Sequence, residues 1–356
     1  MTTEMIYLQT AACGRPSAGT VAAMVDHLRL EVEVGGYAAQ AASGPVLQQA
    51  YEGLGSLLGA DADGVVIVAG ATDGLLTLLG SWAFPEGATV GVVPAEWGPN
   101  LDAFARFGLR PVLLPVDDRG VLDLEAFEQA LHADPPALVH LTQLASHRCV
   151  AQPVAEAVGL CRTAEVPLWA DAAQALGHLD TATGADAVYA PARKWLAGPR
   201  GVGVLAVNQR ARDRLSPLCQ RPLQDESPIA AMRHGEVPVA AQVGFAHAVR
   251  EYLEAGPDAV RASLAALGQR TREAVRGLPG WSLADPADAV GAVVGLRPTA
   301  GQDVEAVVSR LRDEDRILTT ACLPWRAAEM DGPLLRLAPE PGTDEAALAC
   351  LTRGLG

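Results

Sequence analysis

An α/β fold is what this sequence predicts: a large domain with a mostly parallel sheet, followed by a smaller α+β domain. Three observations carry that expectation. Short β-rich apolar runs alternate with amphipathic stretches through the middle of the chain, residues able to do chemistry stand directly after several of those runs, and the texture changes beyond Val207. The alternation begins at residues 65–68, Val-Val-Ile-Val, followed by a Gly70-Ala71-Thr72-Asp73 turn and a helical pattern over 74–83. A strand at 90–93 precedes a helix at 101–107, and a strand at 112–114 precedes a helix at 124–132. The next pair is a strand at 137–141 and a helix at 154–162, and a strand at 167–170 then ends at Asp171. Another apolar run covers 203–207. Segment 217–238 is irregular and polar, and a long helix at 240–254 leads out of the large domain. Beyond it the pattern gives a helix near 262–275, a strand near 290–296, a helix near 304–312 and a strand near 334–337. The expected division is a large domain over 14–254 and a small one built from 1–13 and 255–356.

The bulk properties narrow the function. The chain has 356 residues, of which 49% are hydrophobic, enough for a sizeable core in two lobes. Its net charge of −15 argues against nucleic acid or an anionic membrane surface as a partner. Six cysteines are scattered without a Cys-x-x-Cys pair, as in a reduced protein, so no metal site is expected. Residues 1–10 lack a basic stretch followed by an apolar run, and no apolar run approaches a membrane span. The cytoplasm is the expected location.

The chemistry concentrates in two segments. Trp169-Ala170-Asp171-Ala172-Ala173-Gln174 puts an acid directly after an apolar strand, at the end of a sheet where ligands bind. Arg193-Lys194-Trp195-Leu196-Ala197-Gly198-Pro199-Arg200-Gly201 fixes a lysine ahead of a glycine-rich turn and a strand. Pyridoxal phosphate needs such a set. Lys194 would carry it as a Schiff base, Asp171 would keep its pyridine nitrogen protonated, and Gln174 would tune its O3′. The turn containing Ala71 and Thr72, opening a helix, would offer backbone N–H groups to the phosphate, which Arg193 could also pair. Trp97, after the strand at 90–93, could lie flat on the ring. Each residue also has a plainer reading: Asp171 as a helix cap, Trp97 and Trp195 as packing, Arg336 as a surface ion-pair partner, His140 and His178 as satisfied structural histidines.

In this order the motifs resemble the aminotransferase class V enzymes of pyridoxal-phosphate fold type I, among them cysteine desulfurases, selenocysteine lyases and kynureninases. The likeness runs from Tyr7-Leu8-Gln9-Thr10-Ala11 to Leu335-Arg336-Leu337-Ala338-Pro339. It implies that Arg336 grips the substrate carboxylate, that Ser146 lies near O3′ and the substrate, and that the enzyme is a homodimer with its site at the two-fold interface. Four positions depart from the family pattern. Arg193 stands where a histidine usually precedes the lysine, Trp97 replaces a stacking histidine, and Ala190-Pro191-Ala192 lacks the usual serine or threonine. Arg233-His234-Gly235-Glu236-Val237 lacks the Gly-Thr pair that normally reaches the neighbouring subunit's phosphate, which leaves phosphate binding to Arg193 and the turn at 70–72.

Within the class, segments 10–15, 146–148, 193–203 and 319–326 resemble the hercynylcysteine sulfoxide C–S lyases of ergothioneine biosynthesis. That resemblance implies β-elimination from a sulfur-containing amino acid, giving ergothioneine through its sulfenate, with pyruvate and ammonia. It makes Arg15 and His147 candidate substrate contacts, with Arg148 and Arg326 beside them. Two alternatives stay open. Cys322, upstream of Arg336, has the placement of a desulfurase nucleophile, so the chain could be a cysteine desulfurase or selenocysteine lyase. Or the fold could serve a ligand-binding or scaffold protein, although Lys194 and Asp171 are both present.

Overall fold

The computed structural model describes residues 5–216, 227–233 and 236–356. Most of the irregular segment expected at 217–238, and His234 and Gly235 of the five residues lacking the Gly-Thr pair, therefore lie outside the described residues. In chain order, the short strand β1 (Ile6–Tyr7) precedes three helices, α1 (Ala18–Val34), α2 (Gly36–Ala42) and α3 (Gly44–Leu58). Next come β2 (Val65–Val68), α4 (Ala71–Ser81), β3 (Thr89–Val92), α5 (Gly98–Arg106), β4 (Arg110–Leu113), α6 (Leu124–Ala133), β5 (Leu138–Thr142), α7 (Val154–Thr163) and β6 (Leu168–Asp171). Then follow β7 (Ala187–Pro191), β8 (Gly203–Val207), α8 (Gln209–Arg212), α9 (Pro228–Met232), α10 (Val239–Ala255) and α11 (Pro257–Val275). The chain closes with β9 (Trp281–Leu283), β10 (Val294–Pro298), α12 (Val304–Asp313), β11 (Ile317–Leu318), β12 (Thr320–Cys322), β13 (Leu334–Leu337) and α13 (Glu345–Leu355).

Seven strands form the main sheet in the order β2-β8-β7-β6-β5-β3-β4. All pairings from β7 to β4 are parallel, and β8 runs against both β2 and β7. Six strands thus point one way and β8 alone points back. The alternation of side chains explains why β2 is an unbroken valine and isoleucine run. Val65 and Ile67 join the core under α3, α6, α7 and α10, with Leu54, Phe127, Ala157 and Phe245. Val66 and Val68 join the opposite core under α4, α5 and α9, with Leu75, Phe104 and Ile229. Both faces of the sheet are covered, as a parallel sheet requires.

A second sheet, β12-β13-β10-β9, is antiparallel throughout and packs on α12 and α13 through Leu296, Leu311, Leu335 and Leu351. Strand β1 pairs with β11, Ile6 opposite Ile317, so the N-terminal segment joins the C-terminal part of the chain. The buried pair Arg272–Asp285, at 2.9 Å, ties α11 to the loop before β10. Asp285 also accepts the backbone N–H groups of Cys149 and Gly295, so this charge is fully engaged.

The expected alternation is present with shifted edges. Helix α4 starts at Ala71 rather than at residue 74, because Gly70 serves as its N-cap. Helices α1–α3, α8, α9 and α13 and strands β1, β7, β9, β11 and β12 were not expected, and α9 lies within the segment expected to be irregular. None of the described helices is long and apolar enough to cross a membrane.

Candidate active site

Five of the six parallel strands end at one cavity of about 520 Å³. After β2 come Ala69–Asp73, after β3 Trp97, after β5 Leu144 and Ser146, after β6 Ala173 and Gln174, and after β7 Arg193 and Lys194. Thr142, Asp171 and Pro191, the last residues of their strands, also face it. Ala11 and Ala12 close the wall from the N-terminal segment, and Arg326 and Arg336 close it from the second sheet. The N-terminal segment lies tight on the lysine loop. The Gly14 N–H donates to the Arg193 carbonyl at 2.6 Å, and a Cβ at Gly14 would stand 2.4 Å from the Lys194 carbonyl oxygen.

Asp171 is 4% exposed and sits in a buried network. Its Oδ1 accepts from Ala173 N at 2.7 Å and its Oδ2 from Asn100 Nδ2 at 3.0 Å. Asn100 also donates to Glu96 Oε1 at 2.8 Å, where Thr142 Oγ1 donates at 2.7 Å. Glu96 Oε2 meets His140 Nδ1 at 2.8 Å, and His140 Nε2 meets the Tyr189 hydroxyl at 2.8 Å. Burial pushes Asp171 up, and Glu96 adds to this against the pull of His140 and Lys194. Burial also works against the charge of Glu96, but His140, Thr142 and Asn100 outweigh it and hold that carboxyl below its usual range. His140 is correspondingly raised: burial opposes its charge and Glu96 overcomes the cost. Asp171 therefore holds a proton more readily than a free carboxylate, while Glu96 and His140 each favour the other's charged form.

Lys194 faces the same cavity. Burial pushes its ammonium down to about 7; Asp171 pulls the other way, while Arg193, Arg336 and Arg326 add to the fall. An amine so poised is available as a nucleophile or base near neutral pH. Arg336 is 2% exposed, donates from Nη1 to the Ser146 carbonyl at 2.5 Å, and has an unpartnered buried Nε. Gln174 donates to the Ala11 carbonyl at 2.9 Å and accepts from Trp195 Nε1 at 3.0 Å. Arg193 donates to the Ala12 carbonyl.

Helix α4 opens onto the cavity without a side-chain cap, because Gly70 has none to offer. Its first N–H groups and the helix dipole suit an anion. The donor set fits pyridoxal phosphate: an uncapped helix start and Arg193 for the phosphate, an amine of lowered pKa for the aldehyde carbon, and a buried acid for the ring nitrogen.

Of the residues singled out from sequence, the cavity brings together Lys194, Asp171, Ala71, Thr72, Trp97, Ser146, Gln174, Arg193, Arg336 and Arg326. Others stand elsewhere. His147 is 1% exposed, and its Nε2 meets Glu329 Oε1 at 2.7 Å. Arg148 grips the same carboxylate through Nε and Nη2, each at 2.7 Å. Arg15 pairs with Glu340 and does not line the cavity. Cys322 is fully buried with Ala327, Met330 and Leu334, and also lies off the cavity wall. His178 is a satisfied structural histidine: its Nδ1 faces the Gln174 carbonyl at 3.0 Å, its Nε2 accepts from Ala292 N at 2.7 Å, and burial pushes it down to about 4. Sequence reasoning missed Asn100, the link from Glu96 to Asp171. No local pattern marks it, because its contact with Asp171 spans 71 residues.

Comparison with known proteins agrees with this geometry. The aminotransferase class-V family matches residues 6–321. A protein of Mycobacterium tuberculosis named as a probable hercynylcysteine sulfoxide lyase is 43% identical over 341 residues, covering 94% of this chain and 85% of the relative. A mitochondrial cysteine desulfurase of Drosophila melanogaster is 30% identical over 208 residues, 56% of this chain and 44% of that protein. Among solved structures, a cysteine desulfurase from Thermococcus onnurineus superposes with a TM-score of 0.87 at 19% identity, covering 98% of this chain and 93% of that one. The cystine C–S lyase C-DES, solved with cysteine persulfide, also gives 0.87, at 18% identity and with 99% and 97% covered. Matched from its first strand to β12, and like one relative along almost its whole length, this protein belongs to the aminotransferase class V family.

Proposed function

We propose that this chain is a pyridoxal-phosphate-dependent carbon–sulfur lyase that acts on hercynylcysteine sulfoxide by β-elimination. The observation that carries the choice is the cavity wall. Among the described residues it presents Lys194, Asp171 and Arg336 but no cysteine, and Cys322 is packed away at 0% exposure. A desulfurase needs an accessible thiolate at the substrate sulfur, whereas an elimination needs only a base and an electron sink. The choice of substrate is supported by the likeness to the M. tuberculosis relative.

Bound pyridoxal phosphate supplies the electron sink that makes the Cα–H bond of an amino acid labile. Lys194 would hold the cofactor through its amine, and the start of α4 with Arg193 would hold the phosphate. Trp97 and Ser146 line the cavity where they would border the ring, Gln174 would face its O3′, and Asp171 would favour a proton on its nitrogen. Arg336 binds the substrate carboxylate with the donors that Ser146 leaves free. The Lys194 amine, which burial lowers to about 7 in the cofactor-free protein, would take the Cα proton. The Cβ–S bond then breaks and the sulfur departs as the sulfenate of ergothioneine. The three-carbon remainder hydrolyses to pyruvate and ammonia.

The assignment of 14–254 to a large domain, and of 1–13 with 255–356 to a small one, is part of the same proposal. It is supported by the two separate sheets and by the β1–β11 pairing. So is a homodimer: Val21, Val25, Leu28 and Val32 form an exposed apolar stripe on α1, and Tyr37 on α2 is 92% exposed. A cytoplasmic location suits the five unpaired described cysteines. Product analysis with the cofactor-loaded protein tests the function. Hercynylcysteine sulfoxide should yield stoichiometric pyruvate, whereas alanine from cysteine as the main turnover would overturn the reading.

A further inference from the structure

The cavity holds one more arginine than this chemistry uses. Arg193 suits the phosphate and Arg336 the α-carboxylate, so Arg326 is left over on the wall. Its guanidinium lies 5.2 Å from the ring centroid of Trp97 and 5.1 Å from that of Trp325. Its buried Nε has no hydrogen-bond partner among the described residues. Trp325 is 56% exposed, and its ring meets Trp97 at 5.2 Å and 65°. An indole held in solvent beside a charged cavity costs free energy that a ligand would recover.

This corner is held in place. Trp325 and Arg326 belong to a single 3-10 turn, Pro324–Arg326, pressed on the start of α5. A Cβ at Gly98 would come 2.1 Å from the Trp325 carbonyl oxygen, so only glycine permits the approach. A few residues on, Glu329 N donates to the Pro94 carbonyl at 3.1 Å, while His147 and Arg148 grip the Glu329 carboxylate. The cluster around Glu329, off the cavity, thus anchors the loop that carries the corner. Preorganisation of this kind lowers the cost of binding.

We propose that Trp325 and Arg326 form a subsite for the group that leaves with the sulfur, and that this group bears a carboxylate beside a quaternary ammonium. The inference rests on the lyase reading above. A guanidinium binds a carboxylate through paired hydrogen bonds. A quaternary ammonium has no N–H to donate and is met best by an indole face. The hercynyl group, a histidine betaine, has both features side by side. Cysteine sulfoxides with a small neutral leaving group have neither.

The test compares hercynylcysteine sulfoxide with S-methylcysteine sulfoxide in the wild-type holoenzyme and in Arg326→Gln and Trp325→Ala, with calorimetric binding of free hercynine to each. The kcat/KM ratio of the two substrates should fall roughly 10- to 100-fold in Arg326→Gln. In Trp325→Ala it should fall roughly 3- to 30-fold. Hercynine affinity should weaken in parallel, and melting temperatures and the cofactor absorption band report that the variants are folded and loaded. An equal fall for both substrates would place Arg326 on the α-carboxylate and overturn the subsite. If wild type turned over neither sulfoxide, the lyase reading would fail, and calorimetry would still decide the subsite. Hercynine binding weakened by both substitutions would uphold it, and absent or unaltered binding would overturn it.

Discussion

Lys194 can be tested through stability alone, without turnover. In the cofactor-free protein its ammonium is lowered from 10.5 to about 7, chiefly by burial and with Arg193, Arg336 and Arg326 contributing. The unfolded chain keeps the ordinary value, so between about 7 and 10.5 it binds more protons than the folded one. Stability of the wild type therefore rises with pH through that window, and the penalty is full only below about 7. The gap corresponds to roughly 4–5 kcal/mol. Lys194 faces an open cavity, so solvent screening cuts this to about 2 kcal/mol. Lys194→Met removes the penalty, and titrating groups distant from Lys194 cancel in the comparison with wild type, while Asp171 loses the pull of the ammonium. Urea unfolding of both cofactor-free proteins should show the variant more stable by about 2 kcal/mol at pH 6.5, with the advantage shrinking toward pH 10. An advantage that does not change with pH would mean that the amine is not strained and would refute the reasoning.

Other substitutions probe the remaining parts of the site. Asp171→Asn should cut turnover by roughly 10²- to 10⁴-fold with an unchanged melting temperature; near-normal turnover would reduce Asp171 to a helix cap. Glu96→Ala strands Asn100, Thr142 and His140 in the interior and should cost about 3–5 kcal/mol in urea unfolding. A loss under 1 kcal/mol would show that the network is not fully buried in solution. Burial opposes the charge of Glu329, but hydrogen bonds from His147 and Arg148 outweigh it and bring the carboxyl down to about 2. Its contribution is present above the ordinary 4.5 and is lost as pH falls toward about 2, so Glu329→Gln should flatten the loss of stability between pH 5 and 3.

The sequence was most legible where its signals are local. The valine run of β2, the acid ending β6 and the lysine ahead of a glycine turn are each set by neighbouring residues, and the sheet order brings them together. Helices α1–α3 were not read from the sequence; in α1 the apolar stripe of Val21, Val25, Leu28 and Val32 faces outward, while its buried residues are the polar Thr20 and His27. Strand β7, Ala187–Pro191, was overlooked because only Ala190-Pro191-Ala192 was considered, for the residue types before the lysine. His147 and Arg15 were placed as substrate contacts by resemblance, yet their partners, Glu329 and Glu340, lie far along the chain. No spacing rule links them. Asn100 was missed for a different reason, since its role exists only once β3, β5 and β6 stand side by side.

The central claim is that sulfur leaves by elimination and never visits a protein thiol. Cys322→Ser in the cofactor-loaded enzyme, with pyruvate, alanine and protein-bound persulfide measured together, tests it most directly. Because Cys322 is buried off the cavity wall, the variant should keep most of its activity on hercynylcysteine sulfoxide, release pyruvate, and carry no less persulfide than wild type, in which none is expected. Complete loss of activity in the variant, with alanine released from cysteine and a persulfide on Cys322 in the wild type, would contradict it.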